Sequence, residues 1–194
     1  MSQKNLCTPL EEREIKELHL GDIVYLSGEV YTARDKAHRR IAEYESRGKE
    51  KEIPIKKSSV IYHCGPLVQT SKDKGWEIIA AGPTTSGRMD EAAPYIIEKL
   101  RIHAIIGKGG MGILTREAMR KYGCVYFSMT GGAAVFAAAR IKAVKAVYWK
   151  DLGIAEAVWH LLVEDFGPLI VSIDTSGNSL YNEIEKEARK TVGE

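Results

Sequence analysis

Six short apolar runs, separated by helix-like or turn-rich segments, constrain this chain more than any other feature. They are VIYHC (60–64), WEIIAAG (76–82), HAIIG (103–107), CVYFS (124–128), AVYW (146–149) and LIVSI (169–173). Each is too short for a helix and rich in β-branched or aromatic residues, which predicts strands, several of them buried on both faces. Between them the spacing predicts helices over Ala92–Leu100, Leu114–Tyr122 and Gly132–Ala139. Strands alternating with helices specify an α/β domain. The earlier GDIVYLSGEVYTAR suggests two short strands around Ser27-Gly28, followed by a helix over Asp35–Arg47 that stops at Gly48. That β-rich opening predicts a mixed sheet, not a purely doubly wound one. GKEKEIPIKK (48–57) reads as a solvated connection, and residues 1–18 as a polar arm or linker ahead of one domain over 19–194. Leu180, Ile184, Ala188 and Val192 lie four apart, one apolar stripe on a closing helix.

Composition narrows the function. The 194 residues carry 28 basic and 26 acidic side chains, net +2, which argues against a nucleic-acid surface. No run reaches the length of a membrane helix, and the N-terminus lacks an apolar signal core, so a cytoplasmic location is expected. Cys7, Cys64 and Cys124 are too scattered for a disulfide framework or a CxxC knuckle and read as small, mostly buried thiols.

The chemistry gathers in three segments. Tyr31-Thr32-Ala33-Arg34-Asp35 sits at a strand-to-helix junction. Gly82-Pro83-Thr84-Thr85-Ser86-Gly87-Arg88-Met89-Asp90 is a turn-rich loop leaving a strand, and Gly107-Lys108-Gly109-Gly110-Met111-Gly112 is another. Each sets one cation in a glycine- or hydroxyl-rich loop, where α/β proteins place their sites. Arginine grips a carboxylate with two parallel hydrogen bonds and lysine adds a point charge. Arg34, Arg88 and Lys108 together suit a ligand with two negative groups. GKGGMG departs from the phosphate-binding GxxxxGK[ST] pattern, having no Ser or Thr after the lysine. Spacing alone leaves dicarboxylate and phosphate ligands close together.

GPTTSGRMD, IIGKGGMG and TARDKAH, with TGGAA, YWKDLGIAEAVWHLLVEDFGPLIVSID and GNSLY, resemble the β subunit of class I fumarases and L-tartrate dehydratases. In the single-chain forms the equivalent is the C-terminal domain. The resemblance covers residues 21–181 and implies a swivelling β/β/α fold that closes over a shared active site. It implies a partner α subunit whose three cysteines hold a [4Fe-4S] cluster, in a hetero-oligomer, or a homodimer when this chain is isolated. It further implies that Arg34, Arg88 and Lys108 bind the substrate carboxylates and that Thr84 is the base removing a carbon-bound proton. An aspartate of the other subunit is its proton partner. The implied reaction is reversible dehydration of malate to fumarate, towards which Gly87 beside Arg88 tilts the reading. The alternatives are L-tartrate dehydration and, in a separate class, a stand-alone module binding an acidic metabolite.

Other polar residues read as structural. Asp35 and Asp90 are expected to cap helices, His38 to lie on a polar helix face and His63 in a strand, with nothing adjacent tuning either imidazole. Asp165 is assigned either to orienting a site residue or to facing the partner.

Overall fold

Side-chain alternation along three central strands decides how the layers stack. The computed structural model describes residues 2–71 and 75–192. In chain order its elements are β1 (Gln3–Cys7), α1 (Glu12–Lys16), β2 (Ile23–Thr32), α2 (Asp35–Ser46), β3 (Val60–Tyr62), β4 (Leu67–Ser71) and β5 (Gly75–Ala80). There follow α3 (Ala93–Leu100), β6 (Ala104–Gly107), α4 (Ile113–Tyr122), β7 (Val125–Ser128), α5 (Ala134–Ala139), β8 (Ile141–Tyr148), β9 (Val158–Ile173) and α6 (Leu180–Val192). Val60, Tyr62, Ala104, Ile106, Val125 and Phe127 turn to one face of the sheet, into a core shared with Val24, Leu26, Trp159, Leu161 and Phe166. Ile61, Ile105 and Tyr126, from the intervening positions, turn to the other and meet Ile41 of α2, Ile96 and Ile97 of α3, and Met119 of α4. A period of two on strands buried on both sides produces this division.

The main sheet runs β1-β2-β3-β6-β7-β9-β8, and β9 also pairs with β2. Strands β1, β2, β3, β6 and β7 are parallel, while β9 is antiparallel to β2, β7 and β8. Because β9 joins both β7 and β2, the sheet curls round to meet itself. Hairpin β4–β5 packs over the side away from α2, α3 and α4, with Trp76 edge-on to Trp159 at 5.3 Å. The result is the expected α/β domain with a mixed sheet.

Several expectations are corrected. Residues 1–18, expected as an arm or linker, add β1 to the sheet beside β2 and bury Leu6, Leu10, Ile15 and Leu18. The two strands expected around Ser27-Gly28 are one. Gly28, at φ +109, marks a register shift in the pairing with β9, and a side chain there would strike Thr8. The connection over 48–57 is solvated only in part, since Ile53 and Ile55 anchor it to the helical layer. The short strand β4 went unforeseen. Helix α6 does not close the fold along an apolar stripe: Ile184 is 58% exposed and Ala188 is exposed. The side chain of Val192, the last position of that stripe, lies outside the described residues. Asp165 is exposed at φ +48 and donates its N–H to Ser27 Oγ at 3.0 Å, part of the irregular β2–β9 pairing. Among the described residues no helix is long and apolar enough to cross a membrane.

Candidate functional site

Parallel strands β2, β3, β6 and β7 end at Thr32, Tyr62, Gly107 and Ser128, so the segments that follow them leave from one edge of the sheet. Parallel strands in α/β proteins commonly present their ligand sites at these carboxyl ends. Arg34 follows β2, Lys108 follows β6, and the Thr84–Asp90 loop is stitched between the exits of β3 and β6. Thr84 N–H donates to the His63 carbonyl at 2.6 Å, Lys108 N–H to the Thr84 carbonyl at 3.3 Å, and Ser86 N–H to the Lys108 carbonyl at 3.0 Å. Loops distant in sequence therefore become neighbours through main-chain bonds.

The two arginines meet on one carboxylate. Arg88 binds Asp35 through Nε at 3.0 Å and through a second, closer guanidinium nitrogen, while Arg34 Nε lies 3.8 Å from Asp35 Oδ2. Burial raises the Asp35 pKa, but the hydrogen bonds from Arg88 and the main chain outweigh it and hold the carboxyl below its ordinary range. Arg34 is also 3.1 Å from Glu156 Oε1, and Glu156 accepts the Lys36 N–H at 2.9 Å. Lys108 runs along the main chain of Gly131, whose added Cβ would lie 3.6 Å from Nζ. Among the described residues Lys108 has no acidic partner within 4.0 Å, and the Thr84 hydroxyl makes no hydrogen bond.

Asp35 orients arginines and does not cap. Asp90 braces the start of α4 without bonding the N–H groups of its first turn: Oδ2 accepts the N–H of Gly112, just before the helix, at 2.8 Å and Oδ1 the Thr115 hydroxyl at 2.9 Å. A carboxylate thus already stands at the start of α4, where a phosphate would seek N–H donors.

Both histidines depart from expectation. His38 is buried, not on a polar face, and His63 is buried just beyond β3, with the two rings edge-to-face at 5.0 Å. Burial lowers the His38 pKa to about 4, partly offset by its contact with the Arg34 carbonyl. Burial, with His38 alongside, pushes His63 well below the ordinary imidazole range. The unfolded chain therefore binds more protons than the folded one below about pH 6.5, and stability falls as pH drops from there towards 4. The His38 contribution is roughly 3 kcal/mol. The thermal midpoint is expected to decline steadily between pH 6.5 and 4.5, and His38→Leu to flatten that decline. A midpoint indifferent to pH over this window would contradict the assignment.

Sequence reasoning missed Glu156, Ser86, Tyr126 and Tyr181. Tyr181 packs on Gly110 and pairs with the Ser128 hydroxyl at 3.2 Å. Glu156, Tyr126 and Tyr181 lie outside the three cationic loops, and although Ser86 lies within one of them, only the fold shows that it is buried against His63 and Tyr126.

A model of the fumarase C-terminus family matches residues 2–184. The chain belongs to this family. It is 40% identical over 185 residues to the L(+)-tartrate dehydratase β subunit of Escherichia coli, covering 95% of this chain and 89% of that one. A Methanocaldococcus jannaschii protein, provisionally named as an L(+)-tartrate dehydratase β subunit, is 42% identical over 95% of this chain and 94% of its own. A Geobacillus stearothermophilus protein, provisionally named a class I fumarate hydratase, is 40% identical over 97% of this chain but only 35% of its own length. The fumarase C-terminus match begins at residue 2 and so takes in β1, in keeping with that strand being part of the sheet.

Class I fumarate hydratases and tartrate dehydratases are iron–sulfur enzymes. The residues of this chain do not fit such a group. Burial raises the Cys64 thiol to about 12 and raises Cys124 as well, so neither is a ready thiolate, and Cys7 is exposed. Among the described residues no three His, Cys, Asp or Glu side chains assemble as metal ligands.

Proposed function

We propose that this chain is the β subunit of an iron–sulfur hydro-lyase that reversibly dehydrates malate to fumarate, with a partner α subunit carrying the [4Fe-4S] cluster. The observation that carries the reading is the meeting of Arg34 and Arg88 on Asp35, beside the Thr84–Lys108 junction. Two guanidiniums already arranged around one carboxylate can grip a carboxylate of the substrate at little further ordering cost. Lys108 supplies the uncompensated charge for the second acid group.

The carbon-bound proton beside a carboxylate is weakly acidic, and its removal loads negative charge onto that carboxylate. Cations placed on the carboxylate before the reaction stabilise this charge without rearrangement. Thr84 receives the proton at Oγ1, which no neighbour among the described residues engages, once the hydroxyl's own proton has passed to water and left the alkoxide. A threonine hydroxyl is a feeble base unless its own proton is shared. The Lys108 main chain bonds to Thr84, which supports Lys108 as the charge that eases this transfer.

A second reading, L-tartrate dehydration, is favoured by length. The tartrate dehydratase β subunits are covered to 89% and 94%, whereas the fumarate hydratase relative is matched over 35%. Both readings place the chain in a hetero-oligomer in the cytoplasm and share every residue named. Coexpression with the α subunit, anaerobic reconstitution and assay on L-malate and L-tartrate separate them. Absence of cluster-dependent dehydration on either acid, with tight binding of an acidic metabolite by this chain alone, would replace both with a binding module.

Arg88→Ala is expected to raise KM by about 10-fold or more, the worth of a charge-assisted hydrogen-bond pair, and to lower kcat as well. Steady-state kinetics of the assembled enzyme check it. An unchanged KM would remove Arg88 from the substrate.

A further inference from the structure

Beneath the site lies a buried set of polar groups that the reaction above does not use. His63 Nδ1 lies 2.8 Å from Ser86 Oγ, Ser86 Oγ lies 3.0 Å from Tyr126 Oη, and Tyr126 Oη lies 2.9 Å from the Gly109 carbonyl oxygen. All three side chains belong to fully buried residues. The proton inventory fixes a direction. The Gly109 carbonyl can only accept, so the single hydroxyl hydrogen of Tyr126 goes to it. Ser86 must then donate to Tyr126, and having spent its one hydrogen, it must accept from His63 Nδ1–H. A neutral imidazole carries one N–H, which leaves His63 Nε2 as a bare lone pair. That nitrogen is buried and without a partner, which suits a lone pair far better than an N–H. Reversing the chain would strand a buried N–H on Nε2 and leave the Gly109 carbonyl without the hydrogen of Tyr126.

His38 obeys the same rule independently. Its Nδ1 lies 3.2 Å from the Arg34 carbonyl, which can only accept, so Nδ1 carries the hydrogen and the partnerless Nε2 is bare. Two neutral rings thus sit edge-to-face beneath the exits of β2 and β3.

The chain ends on the two loops that form the site. His63 holds the Thr84–Ser86 turn twice, by its carbonyl to Thr84 N–H at 2.6 Å and by its ring to Ser86 Oγ at 2.8 Å. Tyr126 holds the residue after Lys108. Gly107 admits this arrangement, because a Cβ there would overlap Ser86 Oγ and lie 3.0 Å from Tyr126 Oη. We infer that His63, Ser86 and Tyr126 are positioning residues, a one-way hydrogen-bond chain that sets the Thr84 hydroxyl in register with Lys108 for proton removal. The inference rests on the base role proposed for Thr84; the hydrogen-bond direction does not.

The test uses the assembled enzyme with only this chain labelled by [15N]histidine. Two-bond proton–nitrogen spectra at pH 7 are expected to show His63 and His38 both as neutral Nδ1–H tautomers. An Nε2–H tautomer or a charged ring at His63 would overturn the proposal. Kinetics supply the second arm. His63→Asn keeps a donor near the Nδ1 position and is expected to retain most of kcat. His63→Gln moves the amide towards Nε2 and is expected to lose roughly 10²-fold in kcat, with a smaller change in KM, as a misplaced catalytic group does. Equal losses in both variants, or none in His63→Gln, would reduce His63 to packing. If neither variant folds, Tyr126→Phe takes their place: a fall in kcat out of proportion to KM supports the chain, and wild-type kcat overturns it. Failure of the enzyme on every dicarboxylate would count against the proposed reaction alone, because the spectra read the hydrogen-bond direction without it.

Discussion

Thr84→Ala, assembled with the partner subunit, is expected to lower kcat by ~10²–10⁴-fold, the range general-base groups contribute, while KM stays close to wild type. The separation follows from the geometry. Thr84 is held through its main chain, N–H to His63 and C=O from Lys108, so removing the hydroxyl leaves the turn and its cations in place. What disappears is a half-buried hydroxyl that no neighbour among the described residues engages. Ser86, two residues on, is buried and already bonded to His63, so it is no substitute. Initial rates with L-malate, run beside thermal unfolding to show an unchanged midpoint, measure this. Wild-type kcat in Thr84→Ala would end the base assignment and leave this chain only the binding of carboxylates.

The second large effect is expected at a residue with no side chain. An added methyl at Gly65 would collide with Arg34 Nη1 and lie 2.5 Å from the Ala155 carbonyl oxygen and 2.9 Å from Arg34 Cδ. The carbonyl belongs to backbone beside Glu156 and cannot yield cheaply, so Arg34 must move. Moving it breaks its position against Glu156 and Asp35 together. Gly65→Ala is expected to reduce kcat/KM by roughly 10²-fold, as an angstrom of misplacement does. Overpacking should also destabilise the fold by about 1–3 kcal/mol. Kinetics and chemical denaturation measure the two effects separately. Normal kcat/KM in Gly65→Ala would show that Arg34 is not held where substrate binding needs it. Gly48, at φ +67 with open space around its missing Cβ, offers the control: alanine there costs local strain and should leave kinetics untouched.

The site loops were readable because each carries its own chemistry. A cation among glycines or hydroxyls at a strand exit has few structural explanations, and Arg34, Arg88 and Lys108 are all of this kind. The support beneath them was not readable. His38 and His63 look alike in sequence whether exposed or buried. Only the packing of α2 on the sheet puts both in an apolar layer, where neutrality is enforced. Asp35 and Asp90 each follow an arginine closely, and sequence favoured capping for both. Space assigned one to the arginines and the other to a different helix, since a carboxylate binds whichever donors the fold presents. Glu156 gave no signal at all, because its partnership with Arg34 joins segments more than half the chain length apart.

Sequence by itself determined the α/β class, the central strands, most helices and the identity of the cationic loops, all consequences of periodicity and of residue chemistry acting over a few neighbours. Tertiary structure alone decided that β1 joins the sheet, that β9 closes it on β2, that α6 leaves Ile184 uncovered, and that two arginines share Asp35. Those facts depend on strand order and on which faces meet, and pairings between segments far apart in the chain leave no local trace for a pattern to detect.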